Sequence, residues 1–272
     1  MKTDKLTHLK DYIAGFAQVA VAFSGGVDST LLLKVCKDTL GKDRVVACTG
    51  ISPTLPQEEL EFARAFTRKH GITHVLLPTD EFNNREYLAN PPTRCYLCKT
   101  ALFRAITAYA KTRGIQTLFD GSNDDDLSDY RPGLQACKEN MVKSPLAAAG
   151  ITKDEIRLYS RELGLADWDR PATPCLASRI PYGQEITTEK LRQIEKAENL
   201  LKGLGFITVR VRHHGGLARI EVPENEITRL TKDDTRKKIF RYIKDLGFSW
   251  VCVDLAGFKS GNLNRDIRRT AW

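Results

Sequence analysis

One stretch limits what this chain can fold into more than any other: Val19-Ala20-Val21-Ala22-Phe23-Ser24-Gly25-Gly26-Val27-Asp28-Ser29-Thr30. Val19 to Phe23 are small or apolar without polar alternation, the pattern of a parallel strand buried on both faces. Ser24-Gly25-Gly26 then breaks the strand, and glycine lets the backbone turn sharply and approach a ligand closely. Asp28, Ser29 and Thr30 fall in the first turn of the helix that follows. Such a helix start offers N–H groups and the positive end of its dipole to an anion such as phosphate. No Gly-Lys-Ser/Thr follows, so the stretch is not a Walker A loop.

Strands and helices alternate beyond it. Residues 44–50, 73–78, 116–119 and 142–146 read as strands, and 56–70, 95–113 and 152–163 as helices. Pro56 suits a first helical turn, Gly71 a stop, and Thr152 with Glu155 forms a capping box. Residues 80–93 read as a loop. Alternation of this kind predicts right-handed crossovers and an α/β, doubly wound parallel sheet over residues 1–167. Ligands on such sheets bind at the carboxyl ends of the strands. Ser24-Gly25-Gly26, Gly50-Ile51-Ser52 and Gly121-Ser122-Asn123 all fall at that edge, which is read as a nucleotide crevice. The acidic run from Asp124 to Asp129 is either a solvated linker or a Mg²⁺ site.

Residues 168–186 contain Pro171, Pro174 and Pro181 and read as a linker that also carries Cys175, Ser178 and Arg179. A second, smaller α/β domain is expected over 187–272. Its segments are a helix 187–202, a strand 206–214, a Gly215-Gly216 hairpin turn, a strand 217–222, a helix 234–246 and a strand 250–255. Val209 and Val211 point to one face, and Arg210, Arg212 and His214 to the other. Two guanidinium forks on one face suit a phosphate. A surface pair bridged to Glu221 across the hairpin is the other reading. His213 and His214 point to opposite faces and are not expected to share a metal.

The net charge of +8 suits an anionic ligand or partner. The basic residues are scattered, though Lys237-Lys238, Arg241 and Arg268-Arg269 crowd the C-terminal part, and a solvated basic surface explains them equally well. No apolar run approaches the roughly 20 residues of a membrane span. The first residues lead into a polar amphipathic helix without a signal core, so a cytoplasmic location is expected. The cysteines number seven, an odd count that argues against a disulfide framework. Cys36, Cys48 and Cys252 read as small core residues. Cys95-x-x-Cys98 has ligand spacing but is ambiguous among zinc, iron–sulfur, redox and no ligand at all. If the linker folds back over the crevice, Cys175 adds a third thiolate. Three thiolates on a [4Fe–4S] cluster leave one iron open, whereas a structural zinc normally takes a fourth protein ligand.

The Ser24–Ser29 run resembles the PP-loop of ATP pyrophosphatases, which cleave ATP between the α and β phosphates and adenylate an acceptor. Arg94-Cys95-Tyr96-Leu97-Cys98-Lys99, Asp129-Tyr130-Arg131-Pro132-Gly133-Leu134, Ser178-Arg179-Ile180-Pro181-Tyr182-Gly183, Val209-Arg210-Val211-Arg212, Leu217-Ala218-Arg219-Ile220-Glu221 and Asp254-Leu255-Ala256-Gly257-Phe258-Lys259-Ser260-Gly261 extend the likeness. Together they resemble the LarE family, in order along nearly the whole chain. The family's ATP-dependent sulfur transferases convert the carboxylates of pyridinium-3,5-biscarboxylic acid mononucleotide to thiocarboxylates for the nickel-pincer cofactor of lactate racemase.

The resemblance implies ATP at Ser24, Gly25, Gly26, Asp28, Ser29 and Thr30, with the adenosine over Ser52 and Gly121 and Mg²⁺ on Asp28. It implies a substrate phosphate on Ser178, Arg179, Arg210 and Arg212. One form of the family sacrifices the sulfur of a single cysteine. The other holds a [4Fe–4S] cluster on three, and Cys95, Cys98 and Cys175 resemble that second form, with Cys175 as the catalytic cysteine. The three sulfurs are then expected to converge beside the PP-loop. The implied partners are the mononucleotide, sulfide or a sulfur donor, and a nickel-inserting maturation protein downstream. A homo-oligomer is expected, and neither nucleic acid nor membrane is. A PP-loop tRNA thiolase and a non-catalytic iron–sulfur or nucleotide-binding module are the alternatives.

Overall fold

Val19–Ala22 forms strand β1. A computed structural model, which describes residues 4–128, 132–171, 173–259 and 261–264, places that strand inside a four-stranded sheet. Strands β2 (Val45–Ile51), β3 (Thr73–Pro78) and β4 (Thr117–Phe119) complete it in the order β3-β2-β1-β4, with every pair parallel. Val19 sits opposite Val45 on one side and Thr117 on the other. A strand paired on both edges and covered on both faces has no polar face to present, hence its composition.

In chain order the helices are α1 (Lys5–Ala14), α2 (Val27–Leu40), α3 (Gln57–His70), α4 (Arg85–Leu88), α5 (Arg94–Thr112), α6 (Pro132–Glu139), α7 (Pro145–Ala148) and α8 (Lys153–Glu162). Val19, Val21, Val45 and Ala47 join the core built with α1, α2, α3 and α8, whereas Ala20, Val46 and Cys48 join the one built with α5 and α6. That alternation is the period of two of a strand lying between two helical layers. The chain steps from β1 to β2 to β3, then returns past β1 to β4. The direction of stepping therefore reverses between β1 and β4, where open α/β sheets hold their ligands.

Two local expectations change. Residues 142–146 do not form a fifth strand: Lys143 makes one isolated parallel bridge to Phe119, and Pro145 opens α7. Proline has no N–H for a ladder and suits the first position of a helix. Residues 80–93 are not all loop, because they hold a helical turn at Glu81–Asn83 and the short helix α4.

Packing divides the chain into two compact units, Met1–Asn84 with Thr93–Thr173, and Arg85–Pro92 with Pro174–Trp272. One boundary, between Thr173 and Pro174, falls inside 168–186, and the other two bracket residues 85–92. Residues 85–92 join the second unit by backbone bonds, Ile186 N to Leu88 O at 2.8 Å and Gly183 N to Asn90 O at 3.0 Å. The Asn90 side chain adds a bond from Nδ2 to Pro181 O at 2.7 Å.

The second unit contains α9 (Thr188–Gly203), β5 (Arg210–His214), β6 (Leu217–Glu221), α10 (Ile227–Thr231), α11 (Asp233–Asp245) and β7 (Trp250–Val253). β5 and β6 form an antiparallel hairpin, and β7 lies parallel to β6. Val211, Ala218 and Ile220 pack on Ala197 and Leu201 of α9 and Ile239 and Ile243 of α11. His213 shares that apolar face, with Nε2 3.0 Å from Gln193 Oε1 and its ring 4.9 Å from the Phe248 ring.

Burial, reinforced by the charge of Lys190, pushes the His213 imidazole down to about 4. Between that value and the ordinary 6.5 the unfolded chain binds the extra proton, so stability rises with pH across this window and is lost on acidification. Lowering the pH from 7 to 4 should cost about 2 kcal/mol through this residue. His213→Gln should flatten that part of the stability–pH curve in urea unfolding; an unchanged slope would assign the acid sensitivity elsewhere.

Candidate active site

The Ser24-Gly25-Gly26 turn is built by sterics first. Gly25 adopts φ +83°, and a Cβ there would lie 3.0 Å from the Glu59 carbonyl oxygen. Both facts require glycine. Gly26 has an ordinary φ of −71° as the N-cap of α2. Its Cβ position meets nothing closer than Ser24 Oγ at 3.5 Å, which leaves room beside the helix start. Gly26 N donates to Ser24 Oγ at 3.3 Å, and that oxygen lies 3.2 Å from Ser29 Oγ. Ser29 and Thr30 hydroxyls both donate to Gly26 O at 3.0 Å. Thr30 is fully buried, so it ties down the loop from beneath.

Gly121 completes this arrangement. A Cβ on it would lie 3.0 Å from Ser29 N, so the end of β4 abuts the first turn of α2. Ser52, just beyond β2, uses its hydroxyl on its own turn, 2.8 Å from Thr54 Oγ1. Among the sequence-derived nucleotide residues, Ser24, Gly25, Gly26, Ser29, Thr30 and Gly121 thus meet at one point.

Asp28 faces Lys153, the first residue of α8, in an ion pair. The backbone N–H of Lys153 donates to Asp125 Oδ2 at 2.7 Å, and Asp126 Oδ2 accepts from Asn123 N at 3.1 Å. Asp125 thus accepts from the start of α8 and Asp126 closes a local turn, so both carboxylates have protein partners in place. Asp129 lies outside the described residues, as do Tyr130, Arg131, Ser260, Arg268 and Arg269 of the stretches named above. At the end of β4, buried Asp120 accepts from Ser122 Oγ and Ser144 Oγ at 2.6 Å, from Lys99 Nζ at 3.1 Å and from Cys137 Sγ at 3.3 Å. Although its burial favours the neutral acid, Lys99 and the hydroxyls outweigh this and hold its pKa below the usual range. The network fixes Lys99, one residue after Cys98, to the sheet.

In the second unit the arginine face is buried. Arg212 donates from Nε and Nη2 to Glu221 Oε2 at 3.0 and 2.7 Å, and from Nη1 to Ser178 O at 2.9 Å. Arg179 donates from Nε and Nη2 to Glu198 Oε1 and Oε2 at 2.9 and 2.8 Å. Its Nη1 reaches Pro174 O at 2.6 Å, Ser178 Oγ at 3.0 Å and Cys175 O at 3.2 Å. Every guanidinium nitrogen of Arg179 has an acceptor, so in this structure it braces the Cys175 turn. The cross-hairpin bridge to Glu221, one of two readings of the Arg210–Arg212 pair, is present for Arg212.

Arg210 differs. Burial, then repulsion from Arg179, lowers its pKa to about 10. Arg179, Arg210, Arg212 and Arg219 face Glu198, Glu221 and, at 3.5 Å from Arg219, Asp254. Among the described residues the cluster is rich in guanidinium groups held close together, a setting compatible with an anionic ligand.

The cysteines separate by environment. Cys36, Cys48 and Cys137 are buried, and burial pushes the Cys48 and Cys137 thiols up to about 12. Cys95 and Cys175 are exposed, and Cys98 and Cys252 are half-buried. Cys95 and Cys98 stand one turn apart at the start of α5 in the first unit, and Cys175 belongs to the second. The donor chemistry suits a thiolate-held cluster. Among the described residues no group of three or more His, Cys, Asp or Glu that could hold a metal ion is present.

Glu198, Lys153 and Asp120 escaped the sequence reading. Glu198 left a signal, an acid on the Ile194, Ala197 and Leu201 stripe of α9. Its carboxylate also accepts from Val211 N at 2.9 Å, so it joins helix, strand and Cys175 turn. Glu198→Gln should cost about 3 kcal/mol by leaving Arg179 buried without its counter-charge. The double change Arg179→Met with Glu198→Leu should recover part of that loss in urea unfolding; full additivity would show that the pair is not coupled.

The model of the NAD synthase family matches residues 3–87, the part that contains the loop. A protein of Synechocystis sp. described as uncharacterized is 46% identical over 99% of this chain and 100% of its own length. An uncharacterized protein of Methanocaldococcus jannaschii is 31% identical over 89% of this chain and 91% of its own. The pyridinium-3,5-bisthiocarboxylic acid mononucleotide synthase of Lactiplantibacillus plantarum is 37% identical over 93% of this chain and 91% of its own length. With a glycine-built strand–helix turn at the point where its parallel sheet reverses, and with that likeness running almost end to end, the chain belongs to the LarE family.

Proposed function

We propose that this chain is an ATP-dependent sulfur transferase that converts the carboxylates of pyridinium-3,5-biscarboxylic acid mononucleotide to thiocarboxylates. The reading is carried by the Ser24–Thr30 loop, in a chain that aligns with a synthase of the bisthiocarboxylic mononucleotide over 93% of its length. A carboxylate is a poor electrophile because hydroxide leaves badly. Attack by a carboxylate oxygen on the α-phosphorus of ATP breaks the α–β bridge, releases pyrophosphate and leaves an acyl-adenylate. Hydrosulfide then attacks the carbonyl carbon and AMP departs with its electron pair. The products are the thiocarboxylate, AMP and a proton.

The chain supplies position and charge to this sequence. The loop and the first turn of α2 receive the phosphates. Asp28 is placed to take Mg²⁺ once Lys153 leaves it. Arg210 neutralises the mononucleotide phosphate, with Arg212 and Ser178 beside it and Arg179 supporting the turn. Adenosine lies over Ser52 and Gly121. Cys95, Cys98 and Cys175 would hold a [4Fe–4S] cluster, which when bound supplies an iron site for the hydrosulfide. A cytoplasmic location and a nickel-inserting protein as recipient of the product belong to the same proposal. No helix among the described residues is long and apolar enough to cross a membrane.

Pyrophosphate release that depends on the mononucleotide is the direct test. Wild type should release it, and Arg210→Ala should raise the KM for the mononucleotide about tenfold or more while leaving that for ATP within a factor of about two. A loss confined to ATP would move Arg210 out of the substrate site. Protein mass tests the sulfur source. It should stay constant through several sulfide-fed turnovers, whereas a loss of about 34 Da per chain would mean that Cys175 gives up its own sulfur.

A further inference from the structure

Arg170 is not among the residues that sequence reasoning singled out, yet it stands against the phosphate loop. Its Nη2 donates to Glu59 Oε1 at 2.7 Å and lies 3.5 Å from Glu58 Oε1. Its guanidinium carbon is 4.7 Å from the centre of the Phe62 ring. Both supports touch Gly25: a Cβ on Gly25 would lie 3.4 Å from Phe62 Cδ1 and 3.5 Å from Glu59 Oε2. Arg170 is thus held one side chain away from the residue that shapes the loop.

Two polar atoms in this place lack partners. Arg170 Nη1 is buried and makes no hydrogen bond, and so is Asp167 Oδ2. Asp167 is 4% exposed, and burial raises its pKa against the lowering effect of Thr30 and Arg170. A buried guanidinium nitrogen without an acceptor is costly, and native proteins rarely keep one without a use. Glu59 neutralises Arg170 only from the Nη2 side. The missing acceptor at Nη1 is therefore best supplied by an anionic oxygen arriving at the loop. The two N–H groups of Nη1 match a phosphoryl oxygen in charge and geometry.

We infer that Arg170 is a binding residue for the β,γ-phosphates of the nucleotide, and so for the pyrophosphate that leaves. The inference rests on the reading of Ser24–Thr30 as a nucleotide loop and adds a residue to it. Glu59 then acts as the counter-ion that keeps Arg170 in place until the phosphates arrive.

Calorimetric titration with magnesium pyrophosphate and, separately, AMP tests this on the full chain without turnover. AMP lacks the phosphates in question. Arg170→Met should weaken pyrophosphate at least about tenfold and AMP less than about twofold, with Arg170→Lys in between. Glu59→Gln should tighten pyrophosphate several-fold, and the double variant Glu59→Gln with Arg170→Met should show none of that gain. Unchanged pyrophosphate affinity in Arg170→Met overturns the inference, as does an equal loss for both ligands, which would make Arg170 a prop for the loop. If Arg170→Met does not fold, a Glu59→Gln variant without tighter pyrophosphate binding overturns it. Wild-type protein that binds neither ligand would instead remove the nucleotide-loop reading together with this inference.

Discussion

The first unit depends on one close backbone approach. Between β1 and α2 the chain must reverse within Ser24-Gly25-Gly26 while Glu59 O presses on Gly25 and Gly121 presses on Ser29. No side chain fits at either glycine without moving main chain. Once that reversal is set, β1 lies between β2 and β4, and α2 starts at the carboxyl edge with its first turn against Gly121 at the end of β4. The loop's own hydroxyls are spent on holding it: Thr30 and Ser29 bind Gly26 O, and Ser24 takes Gly26 N. What the loop offers an anion is backbone and helix dipole, groups that are in place before the ligand arrives.

Much of this was legible because it is local. A run such as Val19 to Phe23 has one plausible environment, and the strand pattern at Val209 and Val211 sorts faces correctly down to His213 and His214. The failures have physical causes. Val142-Lys143-Ser144 has strand composition, but Pro145 ends any ladder and starts a helix. Residues 85–92 pack with the second unit through main-chain bonds to Gly183 and Ile186, and main-chain bonds leave no mark on side-chain identity. The division of the chain therefore could not be drawn from composition alone.

Charges were the least legible part. Sequence places Arg210 and Arg212 on one strand face and says nothing of what covers it. Structure buries that face and treats its arginines unequally: Arg179 and Arg212 each meet a carboxylate at hydrogen-bond distance, and burial beside Arg179 lowers the pKa of Arg210. The same holds at Asp28, whose partner Lys153 is 125 residues away and belongs to a capping box that explains itself without it. Pairings at such separation are a property of the fold. An acid on an apolar helix stripe, as at Glu198, is the kind of local oddity that points to them.

Arg179 has a kinematic consequence for Cys175. The carbonyl of Cys175 accepts from Ser178 N at 3.0 Å and from Arg179 Nη1, and Pro174 O is gripped by the same nitrogen. The main chain on either side of the cysteine is thereby anchored to a fully buried guanidinium, while the thiol stands in solvent. What remains free is one torsion. The sulfur turns like a crank on a fixed pivot among three staggered wells, so its reach is a short arc rather than the volume a loose loop would sweep. Whatever chemistry Cys175 performs must come to a sulfur that waits at a small number of addresses.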